Sequence, residues 1–142
     1  MALLVCWMPS CSPVSDPSRE LPLAVRDLVE AVTWKHYPGV ARYAVGKDGG
    51  LAQAIRKRSE SLELAESEVV EVAEGADKDH ALVLVRYSWY TTRDTTVQTG
   101  LEVQHWARKR GSWYIEAIGP PKDPAARRSP FVEEENEGSP QN

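Results

Sequence analysis

The side chains with the most chemistry open to them in this 142-residue chain are three histidines, two cysteines, five tyrosines and five tryptophans. Their spacing excludes several reactions. His36, His80 and His105 belong to no HxxH or HExxH pattern, and the cysteines form no metal-ligand pair, so no metal site is readable. There is no GxSxG elbow, Walker glycine loop or GxGxxG turn, and Gly49-Gly50 alone cannot cradle a phosphate. No cofactor is expected. Cofactor-free proton transfer needs a carboxylate desolvated beside a hydrogen-bond donor, yet Asp77, Asp79 and Asp94 fall in polar turns and Asp27 on the polar side of a helix. What remains is an aromatic group, Tyr37, Tyr43, Tyr87 and Trp89, with His105 or Arg86 as its polar member. It lines a pocket for a small apolar ligand, or it fills the core, where burying each large apolar side chain contributes ~1.5–3 kcal/mol.

The elements that must position these residues come as helices first and strands after. Leu21, Val25, Leu28, Val29 and Val32 recur at helical spacing, with Pro22 in the first turn, and Pro38-Gly39 ends the pattern near His36. A short second helix is expected over 40–44, closing at Gly46. Asp48 is placed to cap a third, with Leu51, Ala54 and Ile55 on one face and the basic run Arg56, Lys57, Arg58 on the other. After Ser59 the period becomes two. A strand ending at 69–72 precedes the polar turn 75–79, and a central strand over 81–91 puts Val83, Val85, Tyr87 and Trp89 on one face. Next, Val97, Thr99, Leu101, Val103 and His105 alternate with Gln98, Gly100, Glu102, Gln104 and Trp106. Arg108 to Gly111 turns the chain into a last strand with Trp113, Ile115 and Ala117. Inward strand positions are expected to be apolar or aromatic, and the strands to pair sequentially and antiparallel. The fold class is therefore α+β.

Both cysteines, Cys6 and Cys11, lie in the first eleven residues, after or within an uncharged apolar run over 2–8. That run is too short to span a bilayer. With Ser10 before it, Cys11 resembles the lipidated cysteine of a bacterial lipoprotein signal, although Met8, Pro9 and the missing basic start depart from the pattern. Lipidation at Cys11 would tether the domain to a membrane, each buried CH₂ contributing ~0.8 kcal/mol. The alternatives are an ordinary secretory signal, or a frayed cytoplasmic terminus with plain thiols. Residues 1–10 are thus read as a partial signal and the Pro/Ser-rich stretch 11–19 as a tether. At the other end, 119–142 hold five of the ten prolines and the acidic run Glu133-Glu134-Glu135, and are expected to be a disordered tail.

Between these flanks, residues 20–118 resemble the nuclear-transport-factor-2-like superfamily, in particular its small bacterial lipoprotein members. The resemblance is carried by three N-terminal helices, Val-Val-Glu-Val at 69–72, an acidic turn, Ala-Leu-Val-Leu-Val-Arg-Tyr at 81–87, and the segment from Trp106 through a basic turn to Trp113 and Ile115. It implies a cone: a strongly bent antiparallel sheet packed on the N-terminal helices. No short strand is seen between the second and third helices. Members range from isomerases and dehydratases to non-catalytic binding modules, and many dimerise through the outer sheet face, so the fold does not decide the function. A net charge of −4 offers no bulk field to recruit nucleic acid. The expectation is a membrane-tethered, non-catalytic binding or envelope-structural module, with a homodimer, a small apolar ligand or an envelope protein as partner. The alternative is a small cofactor-free isomerase or dehydratase using the cone as an apolar chamber.

Overall fold

The computed structural model describes residues 16–133, so the signal-like run, Cys11 and residues 134–142 lie outside the described residues. The chain enters the fold at Asp16, whose side chain caps the 3-10 turn Pro17–Arg19, and Ser18 is buried. Helix α1 (Leu21–Thr33) buries the expected apolar stripe. It stops three residues short of His36 because Lys35 turns left-handed, at φ 54°. The His36 amide then donates to the Ala31 carbonyl at 2.8 Å and the Lys35 amide to that of Val32 at 3.2 Å, which satisfies the last turn. Helix α2 (Tyr37–Tyr43) starts at once, with Pro38 in its first turn. Helix α3 (Leu51–Ser59) is not capped by Asp48, whose carboxylate instead accepts the Gly50 amide at 3.0 Å in a local turn.

Four strands follow: β1 (Leu62–Glu74), β2 (His80–Thr91), β3 (Gln98–Lys109) and β4 (Ser112–Gly119). They form one antiparallel meander in the order β1-β2-β3-β4. Strand β1 begins well before residues 69–72. Irregularities between Leu64 and Glu66 and between Val69 and Glu71 break its period of two, which hides its first half from pattern reading. The sheet curls without closing, and its concave face, with Val83, Val85, Tyr87, Trp106, Trp113 and Ile115, shares one core with Val25, Leu28 and Tyr43 of the helices. This is the α+β, cone-like bent sheet on N-terminal helices that the sequence led us to expect.

As far as residue 133, the C-terminal segment differs from the disordered tail expected over 119–142. Strand β4 ends with Gly119 opposite Val103, which leaves the edge of β3 open at Leu101. After a loop over 120–126 the chain returns to that edge: the Leu101 amide donates to the Arg127 carbonyl at 2.9 Å, and the Ser129 amide to the Leu101 carbonyl at 2.8 Å. Phe131 and Val132, each 4% exposed, then enter the core. The physical reason is local. One apolar pair after a run of proline and charge has enough surface to bury once an unpaired strand edge receives the backbone before it.

Candidate functional site

The five residues expected to line a pocket do not come together. Tyr43 is fully buried, donates its hydroxyl to Asp27 at 2.5 Å, and lies 6.1 Å from the Trp106 ring. Burial, reinforced by the Asp27 hydrogen bond, pushes that hydroxyl well above the ordinary tyrosine value. Tyr87 is buried against the Phe131 ring, edge to face at 5.3 Å, and Trp89 is buried beside it in the sheet. Tyr37 stays on the helical surface beneath the Arg56 guanidinium, 5.0 Å away. His105 is exposed, and Arg86 pairs outside the core with Glu68 at 2.5 Å. Tyr43, Tyr87 and Trp89 thus fill the interior, while Tyr37 and His105 belong to the surface.

His105 points outward because the other parity of β3 points inward. Gly100, Glu102, Gln104 and Trp106 are all buried, at the two-residue spacing that puts side chains on one face. They build a polar chain through the core. The Ser129 hydroxyl donates to Glu102 Oε1 at 2.7 Å, Gln104 Nε2 donates to Glu102 Oε2 at 2.9 Å, and the Trp106 indole donates to Gln104 Oε1 at 3.0 Å. The Phe131 amide donates to the Ser129 hydroxyl oxygen at 3.2 Å, so the returning segment is part of the chain. Burial pushes the Glu102 carboxyl up to about 7, while the Ser129 and Gln104 hydrogen bonds hold it below where burial alone would leave it. Every buried side-chain nitrogen and oxygen among the described residues has a partner.

Sequence reading missed Glu102, Gln104 and Ser129 as interior residues. The signal that could have found the parity is Trp106, the bulkiest residue of the strand, which shares a register with Gly100 and Glu102 and not with Leu101. Gly100 is needed inside because the Arg128 carbonyl crosses directly over it, and a side chain there would also stand 2.9 Å from the Trp89 ring.

Surface clefts open around this filled interior, and four of them hold candidate side chains. One of about 550 Å³ between α1 and α2 is lined by Asp27, Glu30, Trp34, His36 and Arg42. A groove of about 280 Å³ on the convex sheet face is lined by Leu82, Leu84, Leu101 and Val103 beside Pro121. A third, of about 290 Å³, holds His80, His105, Glu74 and Glu116. There His80 is exposed, and its hydrogen bond to Asp77 at 2.7 Å raises its pKa. The fourth, about 410 Å³ at the mouth of the cone, is lined by Arg58, Trp89, Gln98 and the returning segment. Glu102 lines none of the four. Among the described residues, no three His, Cys, Asp or Glu side chains gather as a metal site would require, and no helix is long and apolar enough to cross a membrane.

No known family's sequence model matches the chain, and no curated protein sequence matches it. Solved structures do. A SEC-C motif containing protein from Rhodopseudomonas palustris is similar over 74% of this chain and 81% of its own, at 15% identity and a TM-score of 0.61. A SEC-C motif containing protein from Psychrobacter arcticus covers 86% of this chain and 80% of its own at 17% identity and TM-score 0.50. The intermembrane space region of a chloroplast protein covers 82% of this chain and all of its own at 14% identity and TM-score 0.50. At such identities the likeness is one of fold. The bent sheet on three helices has the cone-like form that the sequence resemblance implied.

Proposed function

We propose that this chain is a non-catalytic binding or envelope-structural module, held on a bacterial membrane by acyl chains on Cys11. The observation that carries the non-catalytic part is the filled cone. Tyr43, Tyr87, Trp106 and Phe131 occupy its interior, and Glu102, the one buried carboxylate among the described residues, is hydrogen-bonded by Ser129 and Gln104 and lines none of the clefts described above. A reaction chamber needs open volume beside its acid–base group. The tether is supported by the sequence around Cys11 alone. Bacteria expressing the protein should incorporate radiolabelled palmitate into it and lose the label in Cys11→Ala. Label that persists in the variant, or none in the parent, overturns the tether. A homodimer would use the convex groove around Leu82 and Leu84, and sedimentation as a monomer at micromolar concentration would remove that part of the reading.

The isomerase or dehydratase reading keeps one supporting observation, a carboxyl with a pKa of about 7 inside the cone. It requires residues 129–132 to withdraw. Amide exchange at Phe131 as fast as in a surface loop would favour it.

A further inference from the structure

We propose that the cleft at the mouth of the cone binds a small organic oxyanion, one carboxylate or phosphate group carried on an apolar body. It gives the binding reading a ligand class, and its test is independent of the membrane anchor.

Three arginines, from two separate parts of the chain, line it. Arg58 comes from the last turn of α3, and its Nη1 donates to the carbonyls of Pro130 and Val132, both at 3.1 Å. Those two bonds hold one nitrogen and leave the rest of a five-donor fork available. Arg127 donates from Nη1 to Gln98 Oε1 at 3.0 Å, which orients its guanidinium along the rim. Arg128 is exposed and lines both this cleft and a neighbouring one beside Pro121 and Pro124. None of the three pairs with a carboxylate among the described residues, whereas Arg42, Arg86 and Arg108 all do. An arginine fork matches the oxygen spacing of carboxylate and phosphate, so a single oxyanion can take two parallel hydrogen bonds from one side chain.

The backing of the cleft is apolar. Trp89 and Val132, 7% and 4% exposed, form its floor with Pro130. Charges on such a low-dielectric wall attract an anion more strongly than charges spread over an open surface. A volume of about 410 Å³ lies within the ~300–1,000 Å³ typical of small-molecule sites and exceeds what a bare inorganic anion fills. The charged rim therefore selects the head group and the floor takes an apolar body. Three cations in a chain of net charge −4 are too few for a nucleic-acid footprint. The site is also well fixed. The backbone of Arg127 and Ser129 is hydrogen-bonded to Leu101, and the close passage of Arg128 over Gly100 locks the segment that presents both arginines.

The same head-group chemistry could belong to a soluble molecule or to a membrane lipid, and the test separates them. The full chain is titrated with phenyl phosphate, benzoate, uncharged phenol, and phosphatidylglycerol vesicles, following the amides of Gln98, Arg128 and Ser129 and the Trp89 indole by NMR. Phenyl phosphate or benzoate should give saturable shifts at these positions, and phenol should not. In Arg127→Gln/Arg128→Gln the dissociation constant should rise about tenfold or more, tenfold being ~1.4 kcal/mol. Both side chains are exposed, so the double variant should keep the parent's unfolding temperature. If it does not, Arg128→Gln alone, with a proportionately smaller rise, serves. No saturation below about 10 mM, a dissociation constant unchanged in the variants, shifts centred elsewhere, or a response to vesicles only would each overturn the proposal.

Discussion

Raising the pH from about 5 to about 8 should weaken this fold, and Glu102→Gln should remove most of that weakening. The Glu102 carboxyl titrates near its ordinary value of 4.5 when the chain is unfolded, and burial raises it to about 7 in the fold. Between those values the folded state binds more protons than the unfolded state, so stability falls as pH rises. The loss is complete above the folded value. At ~1.4 kcal/mol per pH unit of displacement it amounts to about 3 kcal/mol, a sizeable share of the ~5–15 kcal/mol that holds a typical domain together. Urea unfolding across that pH range measures it directly. His80, raised chiefly by its hydrogen bond to Asp77, also loses stabilisation as pH rises through its folded value, but it is exposed and present in both proteins. Asp16, Asp77 and Asp94 are lowered by hydrogen bonds, so their contribution is lost only as pH falls below the ordinary carboxylate range, outside the interval compared. The neighbours bonded to Glu102, Ser129 and Gln104, do not titrate, and Tyr87 remains neutral throughout. The difference between parent and variant therefore isolates Glu102. The variant should be somewhat less stable than the parent near pH 5, where its amide meets the Gln104 amide donor, and at least as stable near pH 8. Parallel pH profiles, or a parent that gains on the variant as pH rises, would refute the buried-carboxyl account.

Two further substitutions test the returning segment. Phe131→Ala removes a ring packed edge-on against Tyr87 in a buried site, and should cost ~3–5 kcal/mol in urea unfolding. A loss below 1 kcal/mol, well under that range, would mean that the segment merely rests on the core. Gly100→Ala drives a methyl into the Arg128 carbonyl and to 2.9 Å from Trp89, so residues 127–132 should lose their place while β3 keeps its pairing to β2. Hydrogen exchange reads this as lost protection at Ser129 with protection retained at Val85, and equal protection at both in parent and variant would contradict the close approach.

The helices and the meander were legible because their signals are local. The stripe from Leu21 to Val32 and the alternation of Val83, Val85, Tyr87 and Trp89 state their periods in a few residues. Three things were not legible, each for a physical reason. The first half of β1 carries two register irregularities, and an inserted residue inverts every inside-outside assignment beyond it. In β3 both parities contain large apolar residues, so pattern alone favours Leu101 and Val103 for the inside. The outcome is decided by what can be satisfied there: Trp106, Gln104 and Glu102 hydrogen-bond one another in sequence, which makes their burial tolerable. The partner that completes them, Ser129, lies 27 residues away in a stretch whose composition reads as solvated. The same parity divides the aromatic set, since His105 occupies the face opposite Trp106.

Why the core keeps a carboxyl at all follows from what the returning segment lacks. The returning segment pairs with β3 through two backbone hydrogen bonds to Leu101, which alone do not choose between registers, and a slip of one residue would exchange its inward and outward side chains. Glu102 penalises that slip. In the observed register it receives a hydroxyl from Ser129, with Phe131 following into the apolar space beside Tyr87. One residue either way would present Arg128 or Pro130 instead. The arginine would have to leave water, and the proline has no donor, so the carboxyl would lose a partner at a cost of ~1–3 kcal/mol or more. The same register puts Arg127 and Arg128 at the mouth of the cone and Val132 in its floor. Glu102 thus sets the geometry of the basic cleft from inside the core without lining it. Glu102→Gln, which retains shape and part of the hydrogen bonding, should keep the cleft. Glu102→Leu removes the demand for Ser129, and should let the segment slip and weaken phenyl phosphate binding even where overall stability rises.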